Sequence, residues 1–408
     1  MSSINYQYAQ ATPDGEYWGL IDKSGTYIVS PEYVTLHSWQ EGMLRLTKKK
    51  SKVVIKDGAW QNQYNGEIYY INARGEFINS TPYDYGLDFS EGLAGIVKEG
   101  KWGFIFSTGD IAIDLLFQET YSFKEGLSAA KYDNKWGFID KKGDWAIDPV
   151  YESVQSFAFG LAVVEKKGDY FVINKSADKV VQIPDGYPWV VIKSKNIILY
   201  GTISGEIGLR YYGFMDIEGT ILSEPVFYVE SEYLFDLHHY SEGMLIVSNE
   251  EDKYGYLNEQ GQLHIPCLYD SAQSFDNGYA VVRREDQRYR IDKSGKLTEI
   301  IEPDYPFDEV QDFHNGLAAA RKGDKWGFIN PKGEMILDVK YQAYPPHKEG
   351  IEAGYYLAEL FPRFSCGLLP ILKSDGTKYS SGFIDNTGKV VISTDYLFVK
   401  GFEDVDVR

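Results

Sequence analysis

Lys135–Val164 reads KWGFIDKKGDWAIDPVYESVQSFAFGLAVV. KWGFI is rich in aromatic and β-branched residues and predicts a strand. Asp140 and Gly143 stand first and fourth in a tight turn, after which WAIDPVY predicts a returning strand. An irregular link then closes on Phe157 before a further strand, LAVV.

Variants of this stretch recur along the whole chain. The place of Trp136 is taken in turn by Trp18, Ile68, Trp102, Trp136, Tyr170, Tyr212, Tyr254, Arg288, Trp326 and Ser381, ten copies whose commonest spacing is 34 residues. Four residues later nine of the ten carry Asp or Asn, Phe106 being the exception, and three further on nine carry Gly, Ala177 being the exception. Asp or Asn first and a left-handed Gly fourth suit a type I turn, hence a short hairpin loop with a bulge. On the strand before it, Trp136 and Phe138 share one face and Gly137 takes the other. A glycine in mid-strand implies close approach by a neighbouring backbone or ring. Seven copies keep it; the second, fifth and eighth carry Tyr69, Phe171 and Tyr289, which reads as a swap of whatever fills one packing slot.

A second signature is an aromatic residue, two others and Gly, then an apolar strand, as in Phe123-Lys-Glu-Gly126 and Phe157-Ala-Phe-Gly160. Each copy is therefore a three-stranded meander plus a link that forms a fourth short strand. A unit this small buries neither face alone, so stacked neighbours must supply the core.

KWGFIDKKG with the FxEGLA element resembles the bacterial WG (KWG) repeat family over nearly the whole chain, most specifically at Lys101–Val164 and Lys325–Asp338. The resemblance implies a β-repeat scaffold of variable copy number and brings no shared catalytic residues. More loosely, the sequence is similar to the aromatic-rich hairpins of cell-wall-binding modules.

The fold expected is all-β: three- to four-stranded meanders stacked as an open twisted β-solenoid, with a closed β-propeller-like ring as the alternative. The terminal strands distinguish the two. Phe402–Val407 mimics a strand that precedes Trp18 in a ring; in the open form Tyr6–Ala11 fills that place and Val405–Val407 is a surplus cap. The division expected is 1–182 for repeats one to five, 183–196 for a degenerate insertion or bend, and 197–408 for repeats six to ten.

Composition narrows the function. Of 408 residues 43% are hydrophobic and 15% aromatic, ample for a core, and the net charge is −19. That balance argues against nucleic acid or an anionic membrane as partner, since both need a basic face. Cys267 and Cys366 lie far apart with no metal or redox spacing, as buried thiols in a reducing compartment do. The first residues lack a signal-peptide pattern, and no apolar run approaches the roughly 20 residues of a membrane helix. A cytoplasmic protein is expected, and export without an N-terminal signal is compatible with the sequence.

Catalytic and ligand patterns are absent from the sequence: it has no phosphate loop, nucleophile elbow or paired-histidine zinc spacing. His238 and His239 lie near Glu230, Glu232 and Asp236, but adjacent residues on a strand point apart and chelate poorly. The turn carboxylates are explained by capping. No catalytic residue, cofactor or metal is expected.

Insertions are the better candidates, because loops on a rigid scaffold carry function. Thr47–Glu67 holds Lys48, Lys49, Lys50, Lys52 and Trp60, a basic hairpin that suits an acidic partner or is simply solvated. Val339–Phe364 holds Tyr344, His347, Tyr355, Tyr356, Phe361 and Arg363, either an exposed hot spot or rings folded back on the repeats. The expected function is a non-enzymatic protein-interaction scaffold whose inserted loops grip a protein. A glycan- or cell-wall-binding module, with aromatic clefts between repeats, is the alternative.

Overall fold

The stretch Lys135–Val164 folds as read. In the computed structural model a lead strand Glu119–Thr120, a second strand Ser128–Tyr132, a third strand Lys135–Ile139 and a fourth strand Trp145–Tyr151 form one antiparallel sheet in that order. The structure describes residues 6–49, 66–187, 189–194, 196–204, 209–229, 240–249, 251–258, 261–275, 278–285, 287–301, 307–310, 317–323, 325–330, 333–342, 354–357, 364–374, 379–400 and 403–405. Among these residues the chain is all-β, without a helix, and repeats the same three- to four-stranded meander. Among the described residues no sheet closes on itself into a barrel.

Turn chemistry accounts for each hairpin. Between third and fourth strands, the Asp140 carbonyl accepts the Gly143 N–H at 3.0 Å, and its side chain accepts the N–H groups of Lys142 and Asp144 at 2.8 and 3.1 Å. Gly143 has φ +89°, the left-handed conformation that this loop requires. Ahead of the second strand, Glu125 and Gly126 have φ +54° and +86°, and Lys124 and Leu127 exchange backbone hydrogen bonds across them. Two consecutive left-handed residues make a type I′ loop, whose twist matches the strands it joins. Glu41, Glu91, Glu242 and Cys366 occupy the same strained position as Glu125, each followed by a left-handed Gly.

The glycine beside the tryptophan answers to a bulge. Trp136 pairs with Tyr151 and Phe138 with Ile147, so one residue on the third strand faces three on the fourth. The bulged backbone folds over Gly137, where a Cβ would lie 2.4 Å from the Ile147 carbonyl oxygen and 2.7 Å from the Pro149 nitrogen. In the fifth and eighth repeats the fourth strand runs without that bulge: Phe171 pairs with Gln182 and Val172 with Val181, Tyr289 with Ile300 and Arg290 with Glu299. The variation read as a swap of packing partners is a presence or absence of extra residues on the neighbouring strand.

Two compact units divide the chain: Met1–Leu115 with Pro303–Arg408, and Leu116–Glu302. Within each, successive sheets stack face to face. In the second unit Trp136, Phe138 and Tyr151 pack on Val154, Ala162, Val164 and Ile173 of the next repeat. In the first, Leu20, Val29 and Tyr33 pack on Leu36, Leu44, Leu46 and Ile71. Each large apolar side chain so buried contributes about 1.5–3 kcal/mol. The segment 183–196 lies in the second unit, where Trp189–Ile192 pairs with Ile197–Ser204 as the first strand of the sixth sheet.

The terminal strands correct one expectation. Tyr6–Thr12 is the second strand of the first repeat and pairs with the third strand, Trp18–Ile21. Its lead strand comes from the far end of the sequence: Phe398 pairs with Thr12 and Val399 with Ala11, while Val405 pairs with Tyr6. Val405 is 1% exposed and belongs to the core beside Leu20 and Leu44, so it is not a surplus cap. The reason is that a meander needs a short lead strand, and Phe398–Val399 supplies it.

Candidate functional site

The recurring charged residues are engaged between repeats. The Glu125 carboxylate accepts the Gly160 N–H of the following repeat at 2.9 Å, and Lys175, from the same following repeat, donates to the Glu125 carbonyl at 2.8 Å. Lys175 also sits 3.2 Å from the Glu125 carboxylate. Glu242, Gly278 and Lys293 repeat this clasp with distances of 3.0, 2.8 and 3.0 Å. Glu41 instead takes two N–H groups, those of Glu91 and Gly92, at 2.6 and 2.7 Å. In the tenth repeat the position is Cys366, whose carbonyl accepts from Lys23 at 2.8 Å. The turn aspartates are equally occupied: serine or threonine hydroxyls and backbone N–H groups hold the Asp292 and Asp385 carboxyls below the usual range.

The basic insertion begins as a strand. Lys48 and Lys49 pair with Glu67 and Gly66 in the second sheet. Their ammonium groups lie 2.6 Å from Glu32 and 3.2 Å from Glu16, and Lys48 also lies over the Tyr33 ring. Lys50, Lys52 and Trp60 lie outside the described residues, as do Tyr344, His347, Phe361 and Arg363, and the histidine pair at 238 and 239. Tyr355 and Tyr356 fall on the strand Gly354–Leu357, paired with Lys373 and Leu372. Tyr356 also pairs with Gln342, which joins the sheets of the ninth and tenth repeats. Tyr341 and Phe364, at either end of that insertion, are buried, and Phe364 meets the Phe328 ring edge-on at 5.1 Å.

Both cysteines are half-buried and unbridged. Burial pushes the Cys267 thiol up to about 11, which leaves it protonated and unreactive.

Two polar groupings lie elsewhere. The first sits on the lead and second strands of the first two repeats. Lys400 donates its N–H to the Gln10 carbonyl, and His37 likewise to that of Arg45. The Arg45 guanidinium lies 2.7 Å from Asp88, donates to the Gly86 carbonyl at 2.6 Å and lies 3.1 Å from His37 Nδ1. Arg45 can only donate, so His37 Nδ1 accepts and Nε2 donates to Thr47, 3.2 Å away. Burial, then the Arg45 charge, lowers the His37 pKa and keeps the ring neutral. Gln10 is buried and donates to the His37 carbonyl, while its Oε1 has no hydrogen-bond partner.

The second grouping lies on the second and third strands of the eighth repeat. Positions equivalent to Trp136 and Phe138 are apolar and buried in most repeats, for example Trp102, Phe104, Tyr212, Phe214, Trp326 and Phe328. In the eighth they are Arg288 and Arg290, both exposed. Arg283, also exposed, stands directly opposite Arg288 in the register. Elsewhere that cross-strand pair is a cation over a ring: Lys131 lies 5.6 Å above Trp136 and Arg321 lies 6.0 Å from Trp326. The opposite face of the same sheet is ordinary core, with Ala280, Val282 and Ile291 packed on Met244, Ile246 and Tyr256. Sequence alignment placed Arg288 in the tryptophan column; what it could not give is that Arg283 stands directly opposite.

Comparison with known proteins gives the family. The model of the WG containing repeat matches residues 18–50, 70–102, 102–136, 136–170, 254–287, 291–326 and 326–351, more than half of the chain. No curated protein sequence matches. Among solved structures, a eukaryotic initiation factor is similar at 11% identity, covering 100% of this chain and 99% of its own, with a TM-score of 0.46. BamB from Moraxella catarrhalis is similar at 10% identity over 72% of this chain and 94% of its own, with a TM-score of 0.29. The WD40 β-propeller domain of Doa1 is similar at 12% identity over 71% of this chain and 95% of its own, with a TM-score of 0.26. The repeat sequence, its turn chemistry and the family match agree, and the chain belongs to the WG containing repeat family.

Proposed function

We propose that this protein is a non-enzymatic scaffold that holds another protein on the exposed surface of its β-repeats. The observation that carries the reading is the eighth repeat, which places Arg283, Arg288 and Arg290 at positions where other repeats bury rings or lay a cation over one. A departure confined to one repeat is not explained by the needs of the fold, which the remaining repeats meet without it. Among the described residues, those that recur are accounted for by turns and by the clasp between repeats. The buried tryptophans Trp102, Trp136 and Trp326 face the interior, which weighs against sugar stacking on the repeat itself.

The test is affinity purification of the tagged full chain with cross-linking, followed by purification of each captured protein. A scaffold is expected to re-form a complex of defined stoichiometry from the two purified components. Failure of every captured protein to rebind would remove this reading.

A further inference from the structure

The loop before the second strand of the fifth repeat carries a phenylalanine in a conformation that suits it badly. Phe159 has φ +56°, the left-handed position that Glu41, Glu91, Glu125 and Glu242 take in their own repeats. Left-handed backbone favours Gly, Asn or Asp and is an outlier for a bulky side chain. At this position glutamate is explained by the clasp, and the clasp is replaced between the fifth and sixth repeats. Leu161 pairs with Asn174 and Ile197 with Asp216, so Asn196 of the sixth repeat stands in the place of Gly160. The Asn196 N–H donates to the Ser194 hydroxyl of its own loop at 3.2 Å, so it is satisfied without a carboxylate from position 159. The clasp lysine is replaced as well: Ile217 takes the place of Lys175 and packs on the core that contains Leu161. Relief from capping leaves the position to Asn or Gly, yet it holds an aromatic ring that is 55% exposed.

We propose that Phe159 is the apolar anchor of a protein-binding site, its ring entering an apolar pocket rimmed by carboxylates on the partner. This rests on the scaffold reading and names the chemistry of the partner. Three contacts fix the loop. Ala158 and Leu161 exchange backbone hydrogen bonds at 2.8 and 3.1 Å, the Glu125 carboxylate accepts the Gly160 N–H, and buried Phe157 meets the Phe138 ring edge-on at 4.7 Å. A ring presented on so fixed a loop loses little conformational freedom on binding, which is what an aromatic hot spot requires. Repeats four, five and six all belong to the second unit, so the loops flanking Phe159 are that unit's own. The three loops, 122–126, 155–160 and 193–196, hold Lys124 and Lys193 against one carboxylate, Glu125, which Gly160 and Lys175 engage. The ring thus has basic surroundings on a chain of net charge −19, and carboxylates on the partner complement them. An anionic lipid surface is the poorer occupant, because the rest of the chain repels it.

The experiment begins with the photo-cross-linking variant Phe159→p-benzoylphenylalanine of the full chain, irradiated in a lysate of its source cells. The protein it captures is purified, and titration calorimetry measures its binding to wild type, Phe159→Asn, Phe159→Leu and Lys124→Glu. Wild type is expected to rebind it, Phe159→Asn to weaken binding at least about ten-fold and Phe159→Leu to weaken it less. Lys124→Glu should weaken binding more at low salt than at high salt. Phe159→Asn is also expected to unfold at a higher urea concentration than wild type, since it relieves the backbone, so lost binding cannot be put down to unfolding. Equal binding by Phe159→Asn would overturn the anchor, and so would cross-links confined to a second copy of this chain, to lipid or to glycan. A lower urea midpoint for Phe159→Asn would overturn it too, by making the ring part of the fold. A purified partner that binds Phe159→Asn as well as wild type leaves the scaffold reading standing without the anchor. A chain without any rebinding partner removes both.

Discussion

Glu125 and Gly160 occupy neighbouring loops of the same design, and the carboxylate of one caps the N–H of the other at 2.9 Å. A type I′ loop favours Asn-Gly or Asp-Gly, so glutamate at its first left-handed position is a costly choice locally. Its reach explains the choice: glutamate is long enough to cap the next repeat.

Glu125→Ala is expected to destabilise the chain by about 0.5–1.5 kcal/mol, the net worth of an ordinary hydrogen bond. Lys175→Met should cost less, about 0–1 kcal/mol, since its ion pair is solvent-exposed. Urea unfolding of the single and double variants checks both, and the double-mutant cycle should show coupling. Strict additivity would mean that the two contacts to Glu125 are independent.

Gly137→Ala tests the bulge. Its Cβ would press into backbone, which cannot yield as a flexible side chain can. The expected loss is about 1–3 kcal/mol, as for overpacking in a core. The control is Phe171→Ala in the fifth repeat, where no bulge covers the strand; it is expected to lose side-chain burial and keep the strand pairing, read by amide hydrogen exchange. Equal exchange in both variants would contradict the account.

Cys366→Glu should stabilise. The backbone already has φ +52°, the conformation of Glu125, and Lys23 already donates to the carbonyl. A carboxylate there completes the clasp, with an expected gain of about 0.5–1 kcal/mol read as a raised midpoint in urea. An unchanged midpoint would show that the tenth repeat holds its neighbour by other means.

Sequence made the repeat legible because its signals are local. Asp140 and Gly143 report turn geometry three residues apart, and Trp136 and Phe138 share a face by the alternation of a strand. The clasp was hidden because Glu125 and Gly160 sit at equivalent positions of separate copies, where alignment stacks them as the same thing instead of setting them side by side. Gly137 was recognised as a close approach, but whether backbone or ring approached depended on the register of another strand. Gln10 and Arg45 went unread because the polar character of their positions is visible only once Lys400 and His37 are known to lie opposite. The insertions drew attention through composition, yet Lys48 and Lys49 already hold Glu32 and Glu16.

His37 gives a pH dependence. Its folded pKa is lowered by burial and by Arg45, while the unfolded chain titrates near 6.5. As pH falls through about 6.5 the unfolded state takes up a proton that the folded state resists, so stability declines until the folded pKa is passed. Above that window the group contributes nothing to the pH dependence. Arg45, Asp88, Thr47 and Lys400 are the polar groups that face it. His37→Gln should therefore differ from wild type by a larger destabilisation at pH 7.5 than at pH 5.5, measured by urea midpoints. A difference independent of pH would be inconsistent with a depressed histidine.

The pairing of Ala11 with Val399 sets an order of events in synthesis. The first repeat leaves the ribosome with its second, third and fourth strands and no lead strand, and it waits for the rest of the chain to be made. Until then the edge of Tyr6–Thr12 lacks the partners Phe398, Val399 and Val405 that come to occupy it, and unpaired backbone groups of a strand are open to pairing with any extended segment. The oldest repeat is thus the last to be completed, and a chain cut short before Phe398 leaves its beginning unfinished as well as its end.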